Sequence, residues 1–484
     1  MKQIKNAGSN KLRLIMLSIL LGLLSLSGTH AAPISKDNGT VCYALNNSTT
    51  DESIFSLLNG QGPHYDYPQS FGIPVEVPDQ CTVEHVQMLA RHGERYPTAS
   101  KGKLMIALWD KLKEFQGQYN DPLEVFNDYE FFVSNTKYFD QLTNSTDVDP
   151  SNPYAGAKTA QHLGKYIAYN YGDLFSDSNP VFTSSSGRVH QTAKYVVSSL
   201  EEELDIQLDL QIIQENETSG ANSLTPADSC MTYNGDLGDE YFENATLPYL
   251  TDIKNRWMKK NSNLNLTLEH DDIELLVDWC AFETNVKGSS AVCDLFERND
   301  LVAYSYYANV NNFYRRGAGN PMSNPIGSVL VNASYNLLTQ ADELDNKVWL
   351  SFSHDTDIQQ FISALGLIDN GVTEYSLDQV DFQNIQQLSW VTPMGGRIFT
   401  EKLKCGNASY VRYIINDVII PVPGCTSGPG FSCPIEDFDD YITNRLNGID
   451  YVSSCEVQQV SNTTELTFYW DYNEVEYNGP VSNK

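Results

Sequence analysis

Positive charge is scarce in this chain. Lys and Arg number 31 against 62 Asp and Glu, a formal net charge of −31 at pH 7. So negative a molecule repels nucleic acid and anionic membrane surfaces, and neither is an expected partner. At neutral pH it also repels anionic small molecules. Near the sequence pI of about 4.5 that repulsion vanishes, which points to an acidic working medium. Other patterns are missing as well. No Cys-x-x-Cys pair supports a zinc or dithiol site, and no His-Glu-x-x-His or carboxylate/His cluster has metal-ligand spacing. There is no Gly-x-Ser-x-Gly elbow and no P-loop. Neither metal nor cofactor is therefore expected, and metal-dependent phosphatases and serine hydrolases have little support. Repeats and low-complexity tracts are absent, and only the N-terminus carries a long apolar run.

That run, Leu14 to Leu26, follows Lys2, Lys5, Lys11 and Arg13 and precedes small residues at Thr29 and Ala31. The pattern is a signal peptide spanning 1–31, with a signal anchor as the alternative reading. After cleavage no membrane association is expected, and the protein is placed outside the cell, in the periplasm or in the cell wall. Asn-x-Ser/Thr sequons at Asn38, Asn46, Asn47, Asn144, Asn216, Asn244, Asn265, Asn332, Asn407 and Asn462 suggest a heavily glycosylated surface. Glycans keep a protein soluble where net charge falls to zero. There are nine cysteines, and an oxidising compartment favours disulfides with one thiol left over. Cys280/Cys293 and Cys425/Cys433 are close enough for local staples.

Residues 32–72, rich in Asn, Ser, Thr, Gly and Pro, read as an N-terminal arm or extended loop. Beyond them one pattern occurs three times. Val83 to Ala90 reads as a strand; it runs into Arg91-His92-Gly93-Glu94-Arg95-Tyr96-Pro97 and then a helix with Leu104, Leu108, Leu112 and Phe115 on one face. Pro180 to Thr183 is followed by Ser184-Ser185-Ser186-Gly187-Arg188 and a helix with Val189, Thr192, Ala193, Val196 and Leu200 in register. Val348, Leu350 and Phe352 alternate up to Ser353-His354-Asp355, and Ile358, Phe361, Ile362 and Leu365 follow at helical spacing. Strand, polar turn, helix is the α/β unit, whose ligands bind beyond the carboxyl ends of the strands. Residues 216–325 read as an inserted, mainly helical cap, with helices at Ile273 to Phe282 and Leu301 to Tyr314. The α/β domain then comprises 73–215 and 326–484. It closes with strands at Arg397 to Leu403, Tyr410 to Ile415 and Val418 to Val422, the last two joined by an Asn416-Asp417 turn.

Three strand ends thus deliver Arg91, His92, Arg95, Arg188, His354 and Asp355 toward one rim. Phosphoryl transfer asks for this set: little covalent help, but fixed positive charge around three equatorial oxygens. Guanidinium forks match phosphate, each charge pair being worth roughly 4 kcal/mol before desolvation at about 4 Å and an effective dielectric near 20. A neutral imidazole attacks phosphorus without a metal. Gly93 lets backbone crowd the site, and a protonated Asp355 supplies the proton that the leaving oxygen needs. Each piece has a plainer reading. Arg91-His92 is a common surface pair. Arg188 opens a helix, where the dipole disfavours it. His354-Asp355 reads also as a helix start with Asp355 capping, although Asp357 is the better N-cap candidate. His85 and His190 read as structural, His162 and His270 as ordinary polar positions.

Taken together, these residues resemble the histidine acid phosphatases, the two-motif branch of the histidine phosphatase superfamily. Arg91–Pro97 matches the N-terminal signature, and His354-Asp355 after a hydrophobic strand matches the C-terminal one. Ser184–Val189 is similar to the family's arginine-bearing stretch. The likeness runs from about residue 75 to 470 and is greatest to secreted yeast acid phosphatases and phytases. It implies an α/β fold, a mixed sheet flanked by helices with an inserted, smaller, mainly α-helical cap. It implies His92 as nucleophile and Asp355 as proton donor, with Arg91, Arg95, Arg188 and His354 binding phosphate. It also implies disulfides Cys81–Cys405, Cys230–Cys455, Cys280–Cys293 and Cys425–Cys433, with Cys42 left over. The expected function is hydrolysis of small phosphate monoesters at acid pH through a phosphohistidine. A phytase acting on inositol hexakisphosphate and a non-catalytic cell-wall glycoprotein are the alternatives. The substrate within this class stays open, as does a homo-oligomer.

Overall fold

The computed structural model describes residues 54–65, 72–144, 150–176, 178–243, 245–369, 371–381 and 387–482. The leader, Cys42 and the sequons at Asn38, Asn46, Asn47 and Asn244 lie outside these residues. An eight-stranded mixed sheet organises the rest: β1 (Cys81–Arg91), β2 (Pro180–Ser184), β3 (Asp209–Ile213), β4 (Val348–Ser353), β5 (Arg397–Cys405), β6 (Ala408–Ile415), β7 (Val418–Ile420) and the short β8 (Cys433–Pro434). The order is β3-β2-β4-β1-β5-β6-β7, with β8 beside β6. Neighbours from β3 to β1 run parallel, and those from β1 onward run antiparallel.

The central strands are apolar on both faces because both are covered. Along β1, Val86, Met88 and Ala90 join the core formed with helices α2 (Gly156–Tyr171) and α3 (Gly187–Leu204). Leu89 points to the opposite core, against α7 (Ser323–Thr339), α8 (Asp355–Leu365) and α9 (Ile435–Leu446). This two-residue alternation is what a pleated strand between two helical layers requires. Helices α1 (Ala99–Lys113), α4 (Pro248–Lys260), α5 (His270–Lys287) and α6 (Arg298–Arg315) complete the larger helices. Asn416 and Asp417, both at positive φ (46° and 65°), make the tight β6–β7 turn. Disulfides join Cys81 to Cys405, Cys230 to Cys455, Cys280 to Cys293 and Cys425 to Cys433. The first of these links residues that already face each other across β1 and β5.

Several expectations need correcting. In α1 the buried face is Gly102, Met105, Leu108 and Leu112, whereas Leu104 is 59% exposed. A four-residue spacing alone selected the wrong residue; Phe139 lies so close to Gly102 that this side of the helix must face inward. The described part of the N-terminal arm is not an extended loop. It forms two 3-10 turns, Ile54–Leu57 and Asn59–Gln61, with Phe55 and Leu58 buried. The boundary expected at 325 falls inside α7.

Candidate active site

Register brings the three motifs level. Arg91 pairs with Ser353 across β1 and β4, and Thr183 pairs with Phe352 across β2 and β4. The residues that follow each strand therefore leave the same edge of the sheet, and α3 and α8 begin there with N–H groups directed at it. The backbone N–H of His92 donates to Ser353 O at 3.2 Å. Gly93 N–H donates to Thr192 Oγ1 (2.9 Å), whose hydroxyl donates to Arg188 O (2.8 Å), so the first motif is tied to the first turn of α3. The crowding at Gly93 comes from α2: an added Cβ would lie 3.1 Å from Gly156 O and 3.2 Å from Leu142 Cδ1. Gly156 is tighter still, its Cβ position being 2.1 Å from Glu94 O.

His92 is buried, and its Nδ1 lies 2.9 Å from Gly93 O. A carbonyl only accepts, so Nδ1 carries the hydrogen and Nε2 keeps its lone pair. Burial, then the charges of Arg91, Arg188, Arg95 and His354, hold the ring's proton affinity well below the usual imidazole range. The lone pair is thus available even in acid. Arg91 is anchored from behind by Gly60 O (2.5 Å) and Thr392 O (2.7 Å) through Nη1, and its Nη2 stands 3.7 Å from Asp355. Arg95 donates to Tyr96 O at 2.9 Å and lies 5.4 Å over the Phe282 ring of α5. Burial, with repulsion from Arg188 and Arg91, brings Arg95 down to about 9. Arg188 Nη2 is 3.4 Å from His354 Nδ1.

His354 accepts at Nδ1 and donates from Nε2 to Glu215, 2.8 Å away. Its ring is centred 5.9 Å from that of His92. Burial opposes ionisation of Glu215, but the hydrogen bond and charge of His354 prevail and bring it to about 2. Asp355 is in a similar balance: burial would raise it, yet Arg316 and then Arg91 hold it well below the usual carboxylate range. Arg316 Nη1 is only 2.5 Å from its Oδ2. Asp357 sits at the third position of α8 rather than at its N-cap, which is His354; it accepts from Ser353 Oγ (2.6 Å) and His354 N (3.3 Å).

All six residues read from the sequence as candidates therefore converge. Two partners were not read from it, Glu215 and Arg316. Glu215 follows β3, so the strand-end rule that found the others reaches it too. Arg316 ends a helix, where positive charge has an ordinary explanation in the dipole. The carbonyls of Gly60 and Thr392 carry no sequence signal at all. His85 lies near the middle of β1, about 20 Å of strand away, beside Gln87. Among the described residues no His, Cys, Asp or Glu cluster has the arrangement of a metal site.

The chain also resembles known proteins along most of its length. Residues 82–416 match the histidine phosphatase superfamily (branch 2). A repressible acid phosphatase of Kluyveromyces lactis is 99% identical over 469 residues, covering 97% of this chain and 100% of that one. A repressible acid phosphatase of Saccharomyces cerevisiae is 41% identical over 96% of this chain and 98% of its own length. The crystal structure of the phytase from D. castellii superposes with a TM-score of 0.85 at 39% identity, covering 92% of this chain and 97% of that one.

Proposed function

Because the chain belongs to the histidine phosphatase superfamily (branch 2), we propose that it is an acid phosphatase in which His92 and Asp355 divide the chemistry. His92 Nε2 attacks phosphorus and the ester P–O bond breaks. Asp355, protonated once substrate is bound, gives its proton to the departing alkoxide. Water then attacks phosphorus and passes a proton to the Asp355 carboxylate as the P–N bond breaks; phosphate leaves and the ring returns to its neutral form. Arg91, Arg95, Arg188 and His354 hold the phosphoryl oxygens, where fixed charge is worth most in a water-poor site. The positive charge on the phosphorylated ring is met by Gly93 O at Nδ1–H. Asp355 is ionised beside its arginines, but a phosphate among the same guanidiniums offsets their charge and raises its proton affinity. The helices around α4 to α6 serve as the cap over the leaving group, with Phe282 under Arg95 as one wall.

One observation carries the reading: an imidazole whose Nε2 stays unprotonated among three guanidiniums. His92→Ala is expected to lower kcat by at least about 10³-fold and to abolish the acid-labile phosphoenzyme seen after rapid quench with labelled ester. Turnover or labelling at the wild-type level would sink the assignment. The likeness to a phytase favours a second reading, in which inositol hexakisphosphate is the main substrate; the ratio of kcat/KM for that polyanion and for a simple monoester decides between them. Export fits the same protein. Asn216, Asn265, Asn332, Asn407 and Asn462 are exposed, the four disulfides suit an oxidising compartment, and among the described residues no helix is long and apolar enough to cross a membrane.

A further inference from the structure

We propose that Arg316 confines the reaction to acid pH by keeping a guanidinium against Asp355. The inference rests on Asp355 being the proton donor, as assigned above. Two arginines share Asp355 Oδ2, Arg316 at 2.5 Å and Arg91 at 3.7 Å. They differ in what else they do. Arg91 is fixed by two backbone carbonyls and faces the phosphate position, so a bound phosphate offsets its charge. Arg316 comes from beyond the end of α6. Its side chain is 25% exposed and that of Asp355 is 22% exposed, so this pair stands at the rim where the leaving group departs. Its charge stays on the carboxyl after phosphate has claimed the others.

The remaining groups around Asp355 are His92 and Arg95 from the β1 loop, neighbouring His354, Asp357 on α8, and Tyr233, whose hydroxyl donates to Arg315 O. Arg188 and Glu215 engage His354. The cations from β1 lie on the phosphate side, and burial holds the Asp357 carboxyl well above the usual carboxylate range, so it brings little charge to the site. Arg316 is thus the cation left to stabilise the Asp355 carboxylate during turnover. A contact of this kind lowers a carboxyl group's proton affinity by roughly 1–3 pH units. The donor becomes a stronger acid and loses its proton at lower pH. Arg316 acts through Asp355 and is a positioning residue.

The test compares wild type, Arg316→Gln and Arg316→Lys on β-glycerophosphate, whose alkoxide must be protonated, and on p-nitrophenyl phosphate, whose phenolate leaves unaided. Both profiles are of the single-turnover phosphorylation rate, so the later hydrolysis in which Asp355 takes a proton from water does not enter; substrate ionisation shapes both, donor ionisation only the first. In Arg316→Gln the alkaline limb of the phosphorylation rate for the alkyl ester moves up by about one pH unit or more, while the limb for the aryl ester stays in place. Arg316→Lys keeps the charge and keeps both limbs near wild type. An unmoved alkyl limb overturns the proposal. So does equal movement of both limbs, a Lys variant that behaves like the Gln variant, or a Gln variant inactive on both esters. If wild type released no phosphate from either ester, the function proposed above would fail instead, a result read from wild type alone.

Discussion

Glu94 lies inside the first motif but does different work from its neighbours. It is fully buried, accepts from the Thr159 hydroxyl, and offers its backbone carbonyl to the N–H and hydroxyl of Thr143, both at 2.9 Å. Burial, partly offset by Thr159, lifts its carboxyl from 4.5 to about 7. Between those two values the folded chain keeps a proton that the unfolded chain has released. The stability this group contributes is therefore complete below the lower value and lost as pH rises through the upper one, on the order of 3 kcal/mol in all. Glu94→Gln is expected to flatten the dependence. Thermal denaturation at about pH 5 and about pH 8 should show a larger fall in Tm for wild type than for the variant. An equal fall would place the titration elsewhere. The motif announced Glu94 by position only; what it packs against comes from Gly156, 62 residues further on, and no local pattern could reveal it.

The N-terminus of helix α8 carries His354 as its N-cap and Asp355 as its first residue, and the first turn decides where they point. Asp357 closes that turn by accepting from Ser353 Oγ and His354 N. Asp357→Ala leaves both donors without this acceptor. It is expected to cost about 1–2 kcal/mol of stability, measured by urea denaturation, and to lower kcat for alkyl esters more than for aryl esters, because Asp355 is the group displaced. At this scale the sequence was informative. The three strand–turn–helix units and the β6–β7 hairpin were legible because each repeats a simple period over several residues. The face of α1 was not, since Leu104 fits the same spacing as its buried neighbours and only Phe139, distant in sequence, distinguishes them. Arg316 was invisible for a related reason, since it acts through Asp355 from another element, whereas Glu215 follows a strand end and the pattern that found the others reaches it. The short turns at 54–61 lacked the length to show any period, yet they supply a carbonyl to Arg91.

The whole molecule sets a cationic pocket into a body of net charge −31 at pH 7. Long-range repulsion of a dianionic ester should therefore be felt at neutral pH and vanish near the pI of about 4.5. Raising ionic strength from about 0.01 to about 0.1 M shortens the Debye length from roughly 30 to 10 Å. KM is expected to fall with added salt at about pH 7 and to stay level near pH 4.5; initial-rate kinetics at both pH values check this. Strand order has a further consequence of another kind. β4 lies between β1 and β2, yet it is made last of the three. In the finished sheet the Arg91 and Arg188 segments flank the place that β4 fills. Only with residues 348–355 in that place do the two halves become one centre. A chain that stops short of residue 348 lacks β4, His354 and Asp355, and is expected to release no phosphate from an alkyl ester.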